Sequence, residues 1–541
     1  MQSKSKDRLR QIAITFLWAF AICLALCAPA LSAPSGDDKT RRADKAVRDG
    51  DYETAEKLFR ELLAKDAQDK EARLGLSFAL LKQRLLQDAY DHAARVILTD
   101  PMSARAHALL GAATLAAGDF RNSVEEFRTA LSIQENESLA IAGLAMVDFY
   151  ENRLDLAVKG LRRAASLDAG EPDYVFELGQ AASRSEKYKE AADAYERFLA
   201  IAPKADADRR ARIRGLIDFL RYLGRQGSLY VLSGESSTAL PFEMVDNRPI
   251  MNVHVNGSKE PLRFVLDSGS AMSVVSEETA KKLGLHAVAR GGLARAVGGG
   301  GKFEIVYGFL SSLDIGDVRV ESVPVYIRHF YDNKGPIDGY LGLSAITRFI
   351  ASVDYGESVF TLRRQSDPNA RDLLGVRILR KTIPLASDAL EIPLRNTSSG
   401  FLSGEVRLEG VEKPLNFIID TGASISVVSE KLAAEEDLGT YLEPTRMRIY
   451  GAAGIAEDVK SLLLPKVMLG TFMRERISAA VLDLEPVNET AGFTQSGILG
   501  GNFLRHYRVS FDFQRGLIRL EPIGKTAKSG EGVRPEEHLD Q

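Results

Sequence analysis

The chain is predicted to fold as an all-α helical-repeat solenoid followed by two all-β lobes. Small residues recur every 34 positions through the first half. After Gly224 helical spacing gives way to short β-rich runs broken by Gly, Asn and Pro, and one order of landmarks then occurs twice. With 541 residues the chain exceeds what a single hydrophobic core supports, so several domains are expected.

At the N-terminus, Lys4, Lys6, Arg8 and Arg10 precede an apolar run at 12–28, and small residues follow in Ala28-Pro29-Ala30 and Ala30-Leu31-Ser32. This is the layout of a cleavable export signal over 1–32. The apolar run also reaches the short end of a bilayer span, about 17–25 residues, so an uncleaved anchor is the alternative. Cys23 and Cys27 lie inside this segment and are the chain's two cysteines. Neither follows the small residue that a lipidation site needs. The cleaved chain would have no disulfide, thiol nucleophile or Cys-based zinc site, which suits an oxidising compartment. The expected address is periplasmic or secreted, or the inner membrane facing the periplasm if the segment stays. Cleavage removes a net +3 and takes the formal charge from −4 to −7, which gives no electrostatic case for nucleic acid. Membrane contact is expected only through an uncleaved segment.

Ala55, Ala89, Ser123, Ala157 and Ala191 are spaced 34 apart, each followed four residues on by Phe59, Ala93, Phe127, Leu161 or Tyr195. Gly111 and Gly179 stand twelve before their small residue, and Gly50-Asp51 and Gly118-Asp119 mark turns between paired helices. Two helices approach closely only where a crossing side chain is small, and the residue one turn on shares its face. The pattern resembles the tetratricopeptide repeat, with 209–223 as a polar-faced capping helix and the whole array at 36–225. Such arrays stack into a solenoid with a concave surface. The expected use is a groove for a protein partner, with a spacer or dimerisation platform as the alternative.

In the second half, Phe264-Val265-Leu266-Asp267-Ser268-Gly269-Ser270 is matched by Phe417-Ile418-Ile419-Asp420-Thr421-Gly422-Ala423. Ser273-Val274-Val275-Ser276 is matched by Ser426-Val427-Val428-Ser429. Thirty-one residues after each Asp comes a small-residue loop: Gly298, Gly299, Gly300 and Gly301, then Gly451, Ala452, Ala453 and Gly454. Later come Tyr340-Leu341-Gly342 and Ile498-Leu499-Gly500, then Asp354-Tyr355 and Asp512-Phe513. The order places lobes at 226–365 and 390–522, a linker at 366–389 and a disordered tail at 523–541.

Two carboxyls held together suit hydrolysis by an activated water. One must be ionised to take the water's proton and the other protonated to polarise the carbonyl, and like charges this close share one proton. An apolar strand carries each Asp inward, a glycine permits the tight loop, and Ser268 and Thr421 supply hydroxyls that can bond across to the other loop. The small-residue loops suit hairpin flaps that close over a substrate.

These residues resemble those of the retropepsin-like aspartic proteases, over about 240–365 and 390–522, with two lobes in tandem where that family usually pairs two subunits. The resemblance implies an aspartic endopeptidase with catalytic Asp267 and Asp420. It implies an active-site loop of Ser268, Gly269 and Ser270 facing Thr421, Gly422 and Ala423, and substrate-binding flaps at the small-residue loops. No metal or cofactor is expected, and the substrate is a protein or peptide. Ser270 departs from the family's usual alanine. Its hydroxyl is expected to favour the ionised form of Asp267, which makes Asp267 the base and Asp420 the acid. Asp354 and Asp512 read as strand-end residues. The loop of four glycines lacks the Lys-Ser/Thr and helix of a phosphate-binding loop. The alternative of another class is a peptide-gripping scaffold without turnover, and pairing of lobes between two chains is a further possibility.

Overall fold

The computed structural model describes residues 36–204, 206–331, 335–365 and 390–523. The expected export signal, the linker 366–389 and all of the tail after Ile523 lie outside the described residues. Among the described residues, no helix is long and apolar enough to cross a membrane.

The described residues divide into two compact units, one ending at Val96 and the other beginning at Ile97. The first contains the helices Gly36–Asp49, Tyr52–Lys65 and Lys70–Lys82, and most of Leu86–Thr99. Asp51 and Asp69 cap two of them by accepting hydrogen bonds from the amides of Thr54 and Ala72, which satisfies donors a helix start leaves open. Ala55 and Ala89 are fully buried, and Gly75 lies against the Phe59 ring, where a Cβ would not fit.

The second unit begins with the helix pairs Ala104–Ala117 with Phe120–Ile133, Ser138–Tyr150 with Leu154–Leu167, and Pro172–Arg184 with Tyr188–Ile201. Ser123, Ala157 and Ala191 are fully buried. Gly111 and Gly143 face the Phe127 ring, and Gly179 faces Tyr195. The period in the sequence is therefore one of close approach, small on one helix and aromatic on its neighbour. Gly118 ends its helix at φ 91, a left-handed conformation that a residue with a Cβ adopts only with strain.

Each lobe repeats one local design. The strand Leu262–Leu266 lies between the antiparallel Arg248–Val255 and the parallel Gly339–Leu341. The strand Leu415–Ile419 lies between the antiparallel Leu402–Leu408 and the parallel Gly497–Leu499. Next come Val274–Ser276 and Ser426–Ser429, whose last serines cap the helices Glu277–Lys282 and Glu430–Glu435. Gly339 and Gly497 accommodate the buried rings of Phe264 and Phe417, three residues before each Asp.

The lobes are joined by a six-stranded sheet to which both contribute. Phe349–Asp354 pairs antiparallel with Tyr507–Asp512, placing Ser352 opposite Ser510 with their hydroxyls 2.8 Å apart. Asp354 and Asp512 end these strands and accept hydrogen bonds from the turn amides of Gly356 and Arg515.

The junction of array and lobes is packed more closely than the sequence led one to expect. The helical array ends at Leu223 and the β-rich region begins at Val231, and the later repeats pack directly on the lobes. Phe493 of the second lobe is fully buried in the repeat core, edge-on to Phe120 at 4.9 Å and Tyr150 at 5.1 Å. Arg184 donates to the Thr397 carbonyl at 2.7 Å. The capping helix, Ala207–Leu223, is also no simple polar end piece. Phe219 stacks on Tyr307 at 4.1 Å, and Gly215 lies so close to the strand Ala289–Arg295 that a Cβ would run into the Arg290 carbonyl.

Candidate active site

The two Asp-bearing strands end side by side at the floor of a cleft of about 1710 Å³. A ring of reciprocal hydrogen bonds holds their loops together. The Ser268 amide donates to the Thr421 hydroxyl at 3.1 Å, and the Thr421 amide to the Ser268 hydroxyl at 2.9 Å. The Ser268 hydroxyl donates to the Ile419 carbonyl at 2.9 Å, and the Thr421 hydroxyl to the Leu266 carbonyl at 2.8 Å. Thr421 is fully buried and Ser268 nearly so, so these groups have no water to fall back on.

Above this ring the carboxyls of Asp267 and Asp420 stand close enough to share a hydrogen bond. Each glycine gives the opposite acid room: a Cβ on Gly422 would lie 2.6 Å from Asp267 Oδ1, and one on Gly269 would strike the Asp420 carboxyl. The Gly269 amide donates to Asp267 Oδ1 at 2.9 Å, and the Gly422 and Ala423 amides donate to Asp420 Oδ1 at 2.7 and 3.2 Å.

The loops differ at two positions: Ser268 and Thr421 make matching cross-loop hydrogen bonds, whereas Ser270 and Ala423 do not match. Ser270 donates its hydroxyl to Asp267 Oδ2 at 2.6 Å, and Ala423 has no hydroxyl to offer Asp420. Burial pushes both carboxyls above the ordinary carboxylate range. At Asp267 the Ser270 hydrogen bond pulls back against it. At Asp420 the neighbouring charge of Asp267 adds to burial, so this carboxyl is the further raised.

Two hairpins reach over the acids. One runs from Ala289–Arg295 into Lys302–Ile315, the other from Leu442–Gly451 into Gly454–Leu469. Their tips meet, with Gly298 against Gly451 and Gly299 against Gly454. Of the small-residue loops, Gly451 and Ala452 line the cleft, together with Ala296 and Val297. Gly298, Gly299, Gly300 and Gly301 stand outside it, on a separate cavity of about 690 Å³. Ala453 is buried, and Gly454 lies in the tip contact. Spacing from the Asp locates each loop in the sequence but does not specify which side of a hairpin tip faces inward.

Sequence reasoning missed the part of the cleft wall that comes from the repeats: Phe176, Gln180, Arg184, Arg209 and Arg212. No repeat signature marks these positions. It also missed Arg328, Phe303 and Tyr340 in the first lobe.

Comparison with known proteins agrees with this architecture. An aspartyl protease family model matches residues 251–345 and 404–503, and tetratricopeptide repeat models match 46–113 and 143–206. The β-rich half is thus an aspartyl-protease-like pair of lobes, and the helical half a tetratricopeptide-repeat array. Among solved structures, an aspartic proteinase from Irpex lacteus is 13% identical, matching 54% of this chain and 100% of its own at a TM-score of 0.36. A thermophilic tetratricopeptide-repeat protein of Thermus thermophilus is 21% identical over 34% of this chain and 99% of its own, with a TM-score of 0.30. A search of curated proteins finds no match.

Proposed function

We propose that the chain is an exported aspartic endopeptidase whose repeat array helps orient a protein substrate in the cleft. The observation that carries this reading is the meeting of Asp267 and Asp420, one from each lobe, above the reciprocal Ser268–Thr421 hydrogen bonds. A water held between the carboxyls attacks the peptide carbonyl carbon. Asp267, ionised, takes the water's proton, and the proton of Asp420 passes to the carbonyl oxygen. The tetrahedral intermediate then collapses. Its C–N bond breaks, the proton held by Asp267 passes to the departing nitrogen, and Asp420 recovers its own proton from the hydroxyl.

The extended substrate lies beneath the hairpins, with the repeat side chains Phe176, Gln180 and Arg209 along one wall. Export is supported by the basic, apolar and small-residue order of 1–32. Cell fractionation tests it: recovery in the cytoplasm with the N-terminus intact would remove that part of the reading.

The decisive experiment exposes the full chain to a mixed peptide library, with and without a statine-type transition-state mimic. Cleavage should be blocked by the mimic and lost in both Asp267→Asn and Asp420→Asn. Cleavage that survives both substitutions would refute the mechanism. A folded parent that grips peptides without cutting any would favour the scaffold reading.

A further inference from the structure

The internal duplication allows the two sides of the cleft to be compared position by position. Arg328 stands opposite Ser276 in the parallel strand pair of the first lobe, and Leu482 stands opposite Ser429 in the corresponding pair of the second. The two serines occupy the same place after their Asp, so Arg328 and Leu482 are counterparts. Both line the cleft.

Their surroundings differ in the same sense. Around Leu482 the wall is aliphatic, with Val427, Ile449, Ile498 and Val297 in one apolar cluster. Around Arg328 the counterpart of Ile498 is Tyr340, which lies edge-on to Phe330 at 4.9 Å. The guanidinium of Arg328 lies 5.6 Å from the centre of the Phe303 ring, and its Nε is buried without a hydrogen-bond partner. A half-buried cation on the cleft wall costs free energy unless an incoming anion pairs with the part of the guanidinium that faces the cleft. Burial weakens its hold on the proton, and its charge also acts on Asp267.

We infer that Arg328 makes the first-lobe side of the cleft a subsite for an acidic side chain, while Leu482 makes the second-lobe side a subsite for an aliphatic one. The substrate is then an extended polypeptide with Asp or Glu on one side of the cut bond and Leu, Ile or Val on the other. The planar guanidinium suits a carboxylate because its donors match both oxygens. This inference rests on the proteolytic reading and adds the substrate class to it.

The test uses the full chain and peptide pairs that differ only by Glu or Gln at each position flanking the cut. A hydrogen-bonded charge pair in such a site gives the parent a kcat/KM at least about ten-fold higher for Glu than for Gln at one position. Arg328→Leu should bring that ratio close to one, and Arg328→Lys should keep part of it. Because the parent's own ratio is the first readout, poor folding of a variant cannot hide the answer. Cleavage without a Glu preference in the parent, or a preference that survives in Arg328→Leu, would overturn the inference while leaving proteolysis intact. A parent that cleaves nothing would overturn both.

Discussion

Ser270 donates its hydroxyl to Asp267 Oδ2 at 2.6 Å, while the corresponding residue beside Asp420 is Ala423. Beyond the exchange of Ser268 for Thr421, one oxygen thus separates the two loops, and it bonds to the carboxyl that the proposed mechanism ionises. The hydrogen bond favours ionised Asp267 and lowers its pKa against the effect of burial. Ser270→Ala should therefore raise that pKa and move the acidic limb of the kcat/KM profile to higher pH, with the basic limb less affected. A pH–rate profile of the variant checks this, and an unmoved acidic limb would show that Ser270 does not bias the pair.

Asp420→Asn should lower kcat by at least about 10²-fold, the scale of a lost general acid. Its effect on stability follows from the raised pKa. In the folded chain Asp420 stays protonated at pH values where the unfolded chain has already ionised it. The folded state then binds more protons, so this group's contribution to stability falls as pH rises from the ordinary carboxyl range through its raised folded value. The variant lacks this loss, so its Tm relative to the parent should rise with pH across that window. Thermal melts at several pH values measure it.

Thr421→Val keeps the shape of the side chain but removes an acceptor for the Ser268 amide and a donor to the Leu266 carbonyl. Both backbone groups lie in a buried loop, so the cost is expected to be about 2–3 kcal/mol. Urea denaturation measures it.

Gly215→Ala is expected to act against helix propensity. Inside an isolated helix alanine is better than glycine by about 1 kcal/mol. Here the new Cβ meets the Arg290 carbonyl and the Gly291 Cα, both backbone, so the capping helix or the first hairpin must shift. A net loss of about 1–3 kcal/mol in chemical denaturation is the expected outcome, as for overpacked sites. A gain would mean that the contact yields easily.

Phe493→Ala removes the ring that the second lobe inserts between Phe120 and Tyr150. The expected cost is about 3–5 kcal/mol, read by denaturation, and the repeats at 104–150 should become more open to limited proteolysis.

Much of this was legible because it is periodic or duplicated. The buried Ala55, Ser123 and Ala191 follow from a count of 34, and the facing loops of Asp267 and Asp420 follow from two matching strings. The docking of the two halves was not legible. Phe493, Gly215 and Arg290 belong to no repeat, and each contact joins segments far apart in sequence. Arg328 escaped for a related reason. Matching strings reveal what the lobes share, whereas Arg328 and Leu482 are a place where they differ, and the strand register was needed to pair them.

The sheet in which Ser352 faces Ser510 has a bearing on dose. Where two acids come from separate molecules, dilution pulls them apart and rate falls faster than protein concentration. Here both partners are tethered, and the local concentration of one beside the other does not depend on how many chains surround them. Turnover per molecule should therefore remain constant down to a few copies per compartment, and a dead chain in excess should not poison a live one.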